Sequence, residues 1–288
     1  MNQASQIMLA QPLQKAEIKA LKQRLPHLFG RSPKRRALLT FYWFVFVLLV
    51  GVGLWHIDAT PARILDGLSR LDILVSLMFP PSSGGTNSAI FYGLLETLAM
   101  AFLGTIIAFF IAVPVGFLGA KNIIPARIFR FSLRRGLDFI RGVDVLIFAI
   151  IFVAAVGMGP FAGILAIIVN DIGNFSKLFA EAIENTDPKP TDGVRASGGS
   201  SVEVIRLSIV PEVSPVMLSH LLYYFEHNVR SASVLGIVGA GGIGFQLSER
   251  MRSNSWDEAA YIIIILLILV SFIDWISRKI RIRIIGKN

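Results

Sequence analysis

Within one apolar stretch of the chain, Glu226, His227, Asn228 and Arg230 follow Tyr223 and Tyr224. Ionisable side chains in a hydrocarbon phase cost at least a few kcal/mol each, so they need a partner or a water-filled path. Glu226 and Arg230 are four apart, on one helical face, and can pair. Two chemistries are open to them. Arg230, with His227 and Asn228, can line a route for an anion while Glu226 holds the guanidinium and keeps the anion from binding too tightly. Equally, the pair can lock its helix to a neighbour. A second polar group, Asn170, Asp171 and Asn174, interrupts another apolar stretch, with Asn170 and Asn174 on one face. It suits a path lining or hydrogen bonds between helices. Arg141 and Asp144, three apart, read as an interfacial pair, and Glu96 and Thr97 face either a path or a partner subunit.

Other chemistries are excluded. The chain has no cysteine, so disulfides and cysteine-based metal sites are absent. It has no H-E-x-x-H and no G-x-S-x-G, and His220 and His227 lack an evident metal triad, which leaves little for an intramembrane enzyme. No G-x-x-x-x-G-K-[ST] is present to hold nucleotide phosphates, and no cofactor is expected on this chain. The run Gly239-Ala240-Gly241-Gly242-Ile243-Gly244 satisfies G-x-G-x-x-G, but a dinucleotide site needs that fingerprint after a strand. Here it follows an apolar span, so Gly239, Gly241, Gly242 and Gly244 are expected to form a flexible or closely packed turn at the outer surface.

The elements that must position these residues are membrane spans. Apolar residues make up 54% and charged residues 16% of the chain, against about 25% charged in a soluble domain. The apolar residues form long blocks rather than stripes. The reading is an all-α membrane protein with about six spans, near 37–55, 91–118, 142–156, 161–180, 213–238 and 259–276. Residues 1–36 form a basic tail, and 37–288 the membrane domain. In the tail, Leu13, Ile18, Leu21 and Leu25 beside Lys15, Lys19, Lys22 and Arg24 suit either a helix on the inner leaflet or a solvated tail. Thr60-Pro61 starts a short amphipathic helix that Phe79-Pro80-Pro81 ends, and a kink is expected at Pro114. The net charge of +9 has no aromatic-interleaved basic run, which excludes nucleic acid as a partner. Instead the charge reports direction. With the N-terminus inside, inner segments hold 22 Lys and Arg, counting Lys177 with the loop after it, and outer segments four: Arg63, Arg70, Arg250 and Arg252. Both termini are therefore placed in the cytoplasm.

That orientation leaves a long polar segment, 181–212, on the inner face. Pro188 and Pro190 are expected to break the helix leaving the membrane, and a short helix to restart at Asp192. Gly198-Gly199 allows a sharp turn. Ser200-Ser201 with Glu203 offers an N-cap for a second short helix that Pro211 ends. The product is a projecting helix–turn–helix, or else an ordinary re-entry linker.

This segment resembles the coupling motif of ABC importer permeases: Glu-Ala-Ala, three residues, Gly, then Pro about thirteen residues on. Gly198 and Pro211 match. Asp192 stands for the Glu, Gly193 and Val194 replace the alanines, and Arg195 follows. The runs Gly157-Met158-Gly159-Pro160-Phe161-Ala162-Gly163, Glu226-His227-Asn228-Val229-Arg230-Ser231-Ala232 and Val238 through Gly244 are similar to those of the phosphonate-uptake permease family. The resemblance implies a type I ABC importer permease (MetI-like) bundle in a bacterial inner membrane. It implies a second permease subunit, identical or paralogous, two cytoplasmic ATPase subunits carrying ATP-Mg, and an extracytoplasmic binding protein that delivers the anion. Phosphonate is the expected substrate, with phosphite or hypophosphite as alternatives, and an ion-coupled secondary transporter is the competing class.

Overall fold

In a computed structural model, the protein is described over residues 33–286; all of the expected basic tail before residue 33, including its apolar stripe, lies outside the described residues. Every regular element among these residues is helical. The chain divides into two units, 1–73 and 74–288. The first holds α1 (Pro33–His56) and most of α2 (Pro61–Leu77). Both present their apolar side chains outward, as lipid-facing helices do.

The second unit is built around α3 (Asn87–Gly119), followed by α4 (Arg127–Arg141), α5 (Val145–Val156) and α6 (Pro160–Glu184). Then come α7 (Pro188–Ala196), α8 (Ser201–Val204), a π turn (Ile205–Ile209), α9 (Val210–Leu235), a 3-10 turn (Gly236–Val238), α10 (Gly242–Arg252) and α11 (Trp256–Ile285). Four helices, α1, α3, α6 and α11, are each long and apolar enough to cross a membrane. Two bent pairs raise the number to six: α4 with α5, at 83°, and the 201–238 run with α10, at 43°.

Several expected boundaries shift. The third span is the shortest, since α5 begins at Val145 and its 12 residues reach only about 18 Å, against about 30 Å of hydrocarbon. The basic residues Arg127, Arg130, Arg134 and Arg135 precede it. They lie on the amphipathic helix α4, whose Arg residues occupy one side and whose Leu137 is buried. Pro188 starts α7 rather than breaking a helix: it occupies the first turn, where a missing N–H costs nothing, and Asp187 caps the end by accepting from Lys189 N at 3.0 Å. The short helix therefore begins before Asp192.

Pro211 does not end a helix either. It lies at the start of α9, immediately after the π turn, whose wide Val210 N to Ile205 O bond lets the chain run on without a break. A proline loses one backbone bond and crowds the carbonyl four residues back, and a locally widened turn relieves both. Pro114 likewise sits inside α3 without dividing it.

The tightest packing is α3 on α6. Lipid tails are as apolar as leucine, so helices associate in membranes by close van der Waals fit and polar bonds. α3 meets this demand with buried small residues on a repeat of three or four, Gly93, Thr97, Ala101, Thr105, Ala108, Ala112 and Gly116. A Cβ on Gly104 would lie 2.6 Å from Ile167 Cγ2, and one on Gly116 2.6 Å from Phe179 Cβ. Three core clusters line up along this helix. Ile90 packs with Ile243 and Ile262 near its start, Met100 with Ala166, Ile167 and Leu235 in the middle. Ala108 and Ala112 pack with Phe175, Phe179 and Ile183 towards its end.

Gly116→Leu is therefore expected to cost about 1–3 kcal/mol through overpacking. It should lower the melting temperature and the monodisperse yield in detergent. Gly51→Leu, at a position open on all sides, should change neither.

Candidate functional site

The segment between α6 and α9 is a helix–turn–helix whose outer face is bare. α7 has no buried residue, and Lys189, Asp192, Gly193 and Arg195 are exposed, with Arg195 4.0 Å from Asp192. Gly198 turns the chain at φ +84°, a left-handed conformation that costs other L-residues about 1–2 kcal/mol. Gly199 must also lack a side chain, because a Cβ there would meet Val194 Cγ1 at 2.7 Å. The run from Ser201 to Val238 is about 57 Å long at 1.5 Å per residue, so its first turns lie outside a 30 Å hydrocarbon layer. There Ser200 and Glu203 form a full capping box. The Ser200 amide donates to Glu203 Oε2 at 2.7 Å and the hydroxyl at 2.8 Å, which hold the Glu203 carboxyl below its ordinary value.

The inner face of the motif is anchored. Asp187 N donates to Glu212 Oε1 at 2.9 Å, Thr191 and Ser208 hydroxyls meet at 3.0 Å, and Val194 packs on the cluster of Phe179 and Ile183. Glu184, the last residue of α6, accepts from Lys121 N at 2.6 Å and pairs with Arg134 of α4. A cleft of about 480 Å³ opens beside α7, lined by Glu184, Thr191, Asp192 and Arg195 among others. The motif is thus a free docking face on a stiff base.

The polar residues of α9 divide between two roles. Asn228 is buried, and its amide donates to Thr105 Oγ1 of α3 at 2.8 Å and to Asp171 Oδ2 of α6. Asp171, also fully buried, accepts from Asn170 Nδ2 on its other oxygen at 3.3 Å. Asn228 and Asn170 therefore serve a three-helix polar lock. Asn174 accepts from Arg141 Nε at 3.0 Å, which docks α4 on α6. Arg141 does not pair with Asp144, whose carboxylate caps α5 by accepting from Leu146 N at 2.9 Å.

Glu226 and Arg230 pair at 2.7 Å, and each has a further partner on α11: Arg281 lies 2.8 Å from Glu226, and Asp274 3.1 Å from Arg230. These contacts set the pair against α11. The apolar part of α11 ends at Asp274, ahead of Arg278, Lys279, Arg281 and Arg283. Glu226 is thus level with that basic end. His227, Arg230, Tyr223 and Val234 remain exposed on one face of α9, with Arg230 and Tyr223 at the edge of its contact with α11.

The glycine run is closely packed. Gly239, Ala240, Gly242 and Gly244 are buried, and Gly239 O accepts from Gly159 N at 3.0 Å. Gly241, at φ +82°, turns the chain into α10, a helix with no counterpart in the expected spans. Its first amides are taken: Gly242 N donates to Glu96 Oε2 at 2.8 Å and Ile243 N to Thr97 Oγ1 at 2.8 Å. Glu96 and Thr97 thus cap α10 from α3. Sequence reasoning missed this because a cap supplied by a distant residue leaves no local pattern.

Asn228→Leu is expected to destabilise the bundle by about 1–3 kcal/mol or more, since it strands a buried carboxylate. Adding Asp171→Leu should restore part of that stability. Thermal unfolding of the single and double variants in detergent measures both effects, and strict additivity would deny the lock.

Residues 112–284 match the family described as binding-protein-dependent transport system inner membrane component. Among curated relatives, the putative phosphite transport system permease protein HtxC of Stutzerimonas stutzeri is 38% identical, over 91% of this chain and 94% of its own length. The phosphite transport system permease protein PtxC of the same organism is 37% identical, over 81% and 85%. The phosphate-import permease protein PhnE of Mycolicibacterium smegmatis is 36% identical, over 72% of this chain and 39% of its own length. A chain of the inward-facing MetNI methionine ABC transporter superposes with a TM-score of 0.60 at 22% identity, over 68% of this chain and 95% of that one, and so shares the fold. The chain belongs to the binding-protein-dependent inner membrane component family: it is a permease subunit of an ABC importer, with ATP hydrolysis left to a separate chain.

Proposed function

We propose that this permease carries small phosphorus oxyanions, of the phosphite and phosphonate class, into the cytoplasm. The names of the two relatives that align over most of both chains support the substrate class. The single observation that carries the mechanism is the bare α7 face on its anchored base. Both termini and this motif face the cytoplasm, as the 22-to-4 distribution of Lys and Arg favours. An ATPase dimer seats α7 of this chain and of a second permease. Its closure moves α6 and α9 as rigid bodies, because α7 joins them through capped, hydrogen-bonded turns. An extracytoplasmic binding protein delivers the anion to the opposite end, where the 239–244 turn and α10 lie. No nucleotide or metal is assigned to this chain.

The anion's path follows the exposed face of α9. His227 and Arg230 lie on it, and Arg230 meets the anion near the cytoplasmic end, already neutralised in part by Glu226 and Asp274. That partial neutralisation suits release better than tight binding. Asn228, Asn170 and Asn174 act behind this face, holding the helices that form it.

Two measurements test the reading. Gly198→Leu forces a branched side chain into a left-handed turn and should weaken ATPase co-purification about tenfold. Intact co-purification and uptake would remove α7 as the coupling element. Arg230→Gln should lower phosphite or phosphonate uptake in proteoliposomes about tenfold while the ATPase still co-purifies. Unimpaired uptake would take Arg230 out of the path.

A further inference from the structure

Where α4 crosses α6, a pocket of about 230 Å³ is lined by Phe131, Arg134, Arg135, Asp138, Ser176 and Lys177 among others. We propose that this pocket holds the headgroup of an anionic phospholipid from the inner leaflet. Three independent features converge on it.

The first is charge. Arg135 and Lys177 both lean on the single carboxylate of Asp138, at 3.3 and 3.4 Å, and Arg141 approaches the same group at 3.8 Å. One carboxylate cannot neutralise three cations. Nearby Arg130 donates to a neutral carbonyl, that of Ile124, at 2.9 Å. A phosphodiester supplies the missing negative charge.

The second is an unmet hydrogen bond. Ser176 is completely buried, lines the pocket, and its hydroxyl has no partner among the described residues. A buried hydroxyl left alone costs about 1–3 kcal/mol, and a phosphate oxygen or glycerol hydroxyl in the pocket would satisfy it.

The third is the setting. α4 meets α5 at 83°, so with α5 along the membrane normal α4 lies in the membrane plane. Beside its cations it exposes Ile128 at 85% and Phe131 at 62%. A second cleft of about 460 Å³ continues from the first through shared Phe131 and Arg134. Apolar side chains next to a cationic pocket suit a molecule with a charged head and acyl chains, which a free phosphate is not. The site also touches the coupling base, because Arg134 lines the pocket and pairs with Glu184 at the end of α6.

The inference rests on the cytoplasmic orientation only for its choice of leaflet. The test is the complete permease–ATPase complex, reconstituted in phosphatidylcholine alone or in an equimolar mixture with phosphatidylglycerol, then released into mild detergent for native mass spectrometry. The wild type is expected to retain phosphatidylglycerol, and Arg135→Gln and Lys177→Gln each to retain about fivefold less. Ser176→Ala removes a hydroxyl with no protein partner, so it should lower retention without lowering the melting temperature, and it keeps the test open if a charge variant folds poorly. Equal retention by wild type and all three variants would overturn the site. So would equal binding of glycerol 3-phosphate, which would mark a soluble phosphate compound. The cysteine-free background allows Ile128→Cys crosslinking, and capture of the ATPase or second permease there would make the cleft a protein interface instead. Accessibility of the same cysteine from one side of sealed vesicles reports the orientation separately from lipid retention.

Discussion

The close approach of α3 and α6 is the constraint on which the rest of the bundle depends. In a membrane no water is released when two apolar helices meet, so their attraction must come from fit and from polar bonds. Glycine at 104 and 116 brings the two backbones near enough for Ile167 and Phe179 to fill the groove. The same stripe carries two threonines eight residues apart that work alike. Each donates to the carbonyl four residues back, then accepts from a third helix: Thr97 from Ile243 N of α10, Thr105 from Asn228 of α9. Close packing and polar tethering thus occupy one face of one helix. Moving either glycine out of register would pull both threonines from their partners.

Features written in neighbouring residues were legible in the sequence. Apolar blocks announced α1, α3, α6 and α11, and the Ser200–Glu203 capping box and the Gly198 turn were visible because their partners lie within a few positions. Features that depend on a distant partner were not. α4 resembles a basic loop in composition, and its Leu137 and Ile140 against Gly173 of α6, with Arg141 on Asn174, show it to be a docked helix. α10 hides behind the glycines because Glu96 and Thr97 supply its cap from far away in the chain. Pro188 and Pro211 carry the same ambiguity, since proline ends one helix as readily as it begins the next.

The depth of Glu226 shows a different limit. Hydropathy locates an apolar stretch but not how a longer helix is placed across the bilayer. The run from Ser201 to Val238 is nearly twice as long as the hydrocarbon is thick. Glu226 and Arg230 lie about two-thirds and four-fifths of the way along it, beside the basic end of α11, where four charged groups form a network. Asn228, two residues from each, points to the opposite side and is buried. Adjacent residues of α9 thus serve separate purposes: one face fixes the helix in the bundle, the other stays exposed.

This division bears on how force applied at α7 is used. α7 is joined to α6 by the short link that Asp187 caps, and to α9 both by the Asp187 N–Glu212 bond and through α8 and the π turn. Among the described residues the π turn is one of three irregular steps between α7 and the ion network, with the Gly198 turn and Pro215 inside α9. Regular helix transmits displacement with little loss, so a change in pitch would concentrate at these steps. The Thr191–Ser208 bond ties the π turn directly to α7. The widened turn is thus braced by α7, the element that the proposed ATPase contact would push.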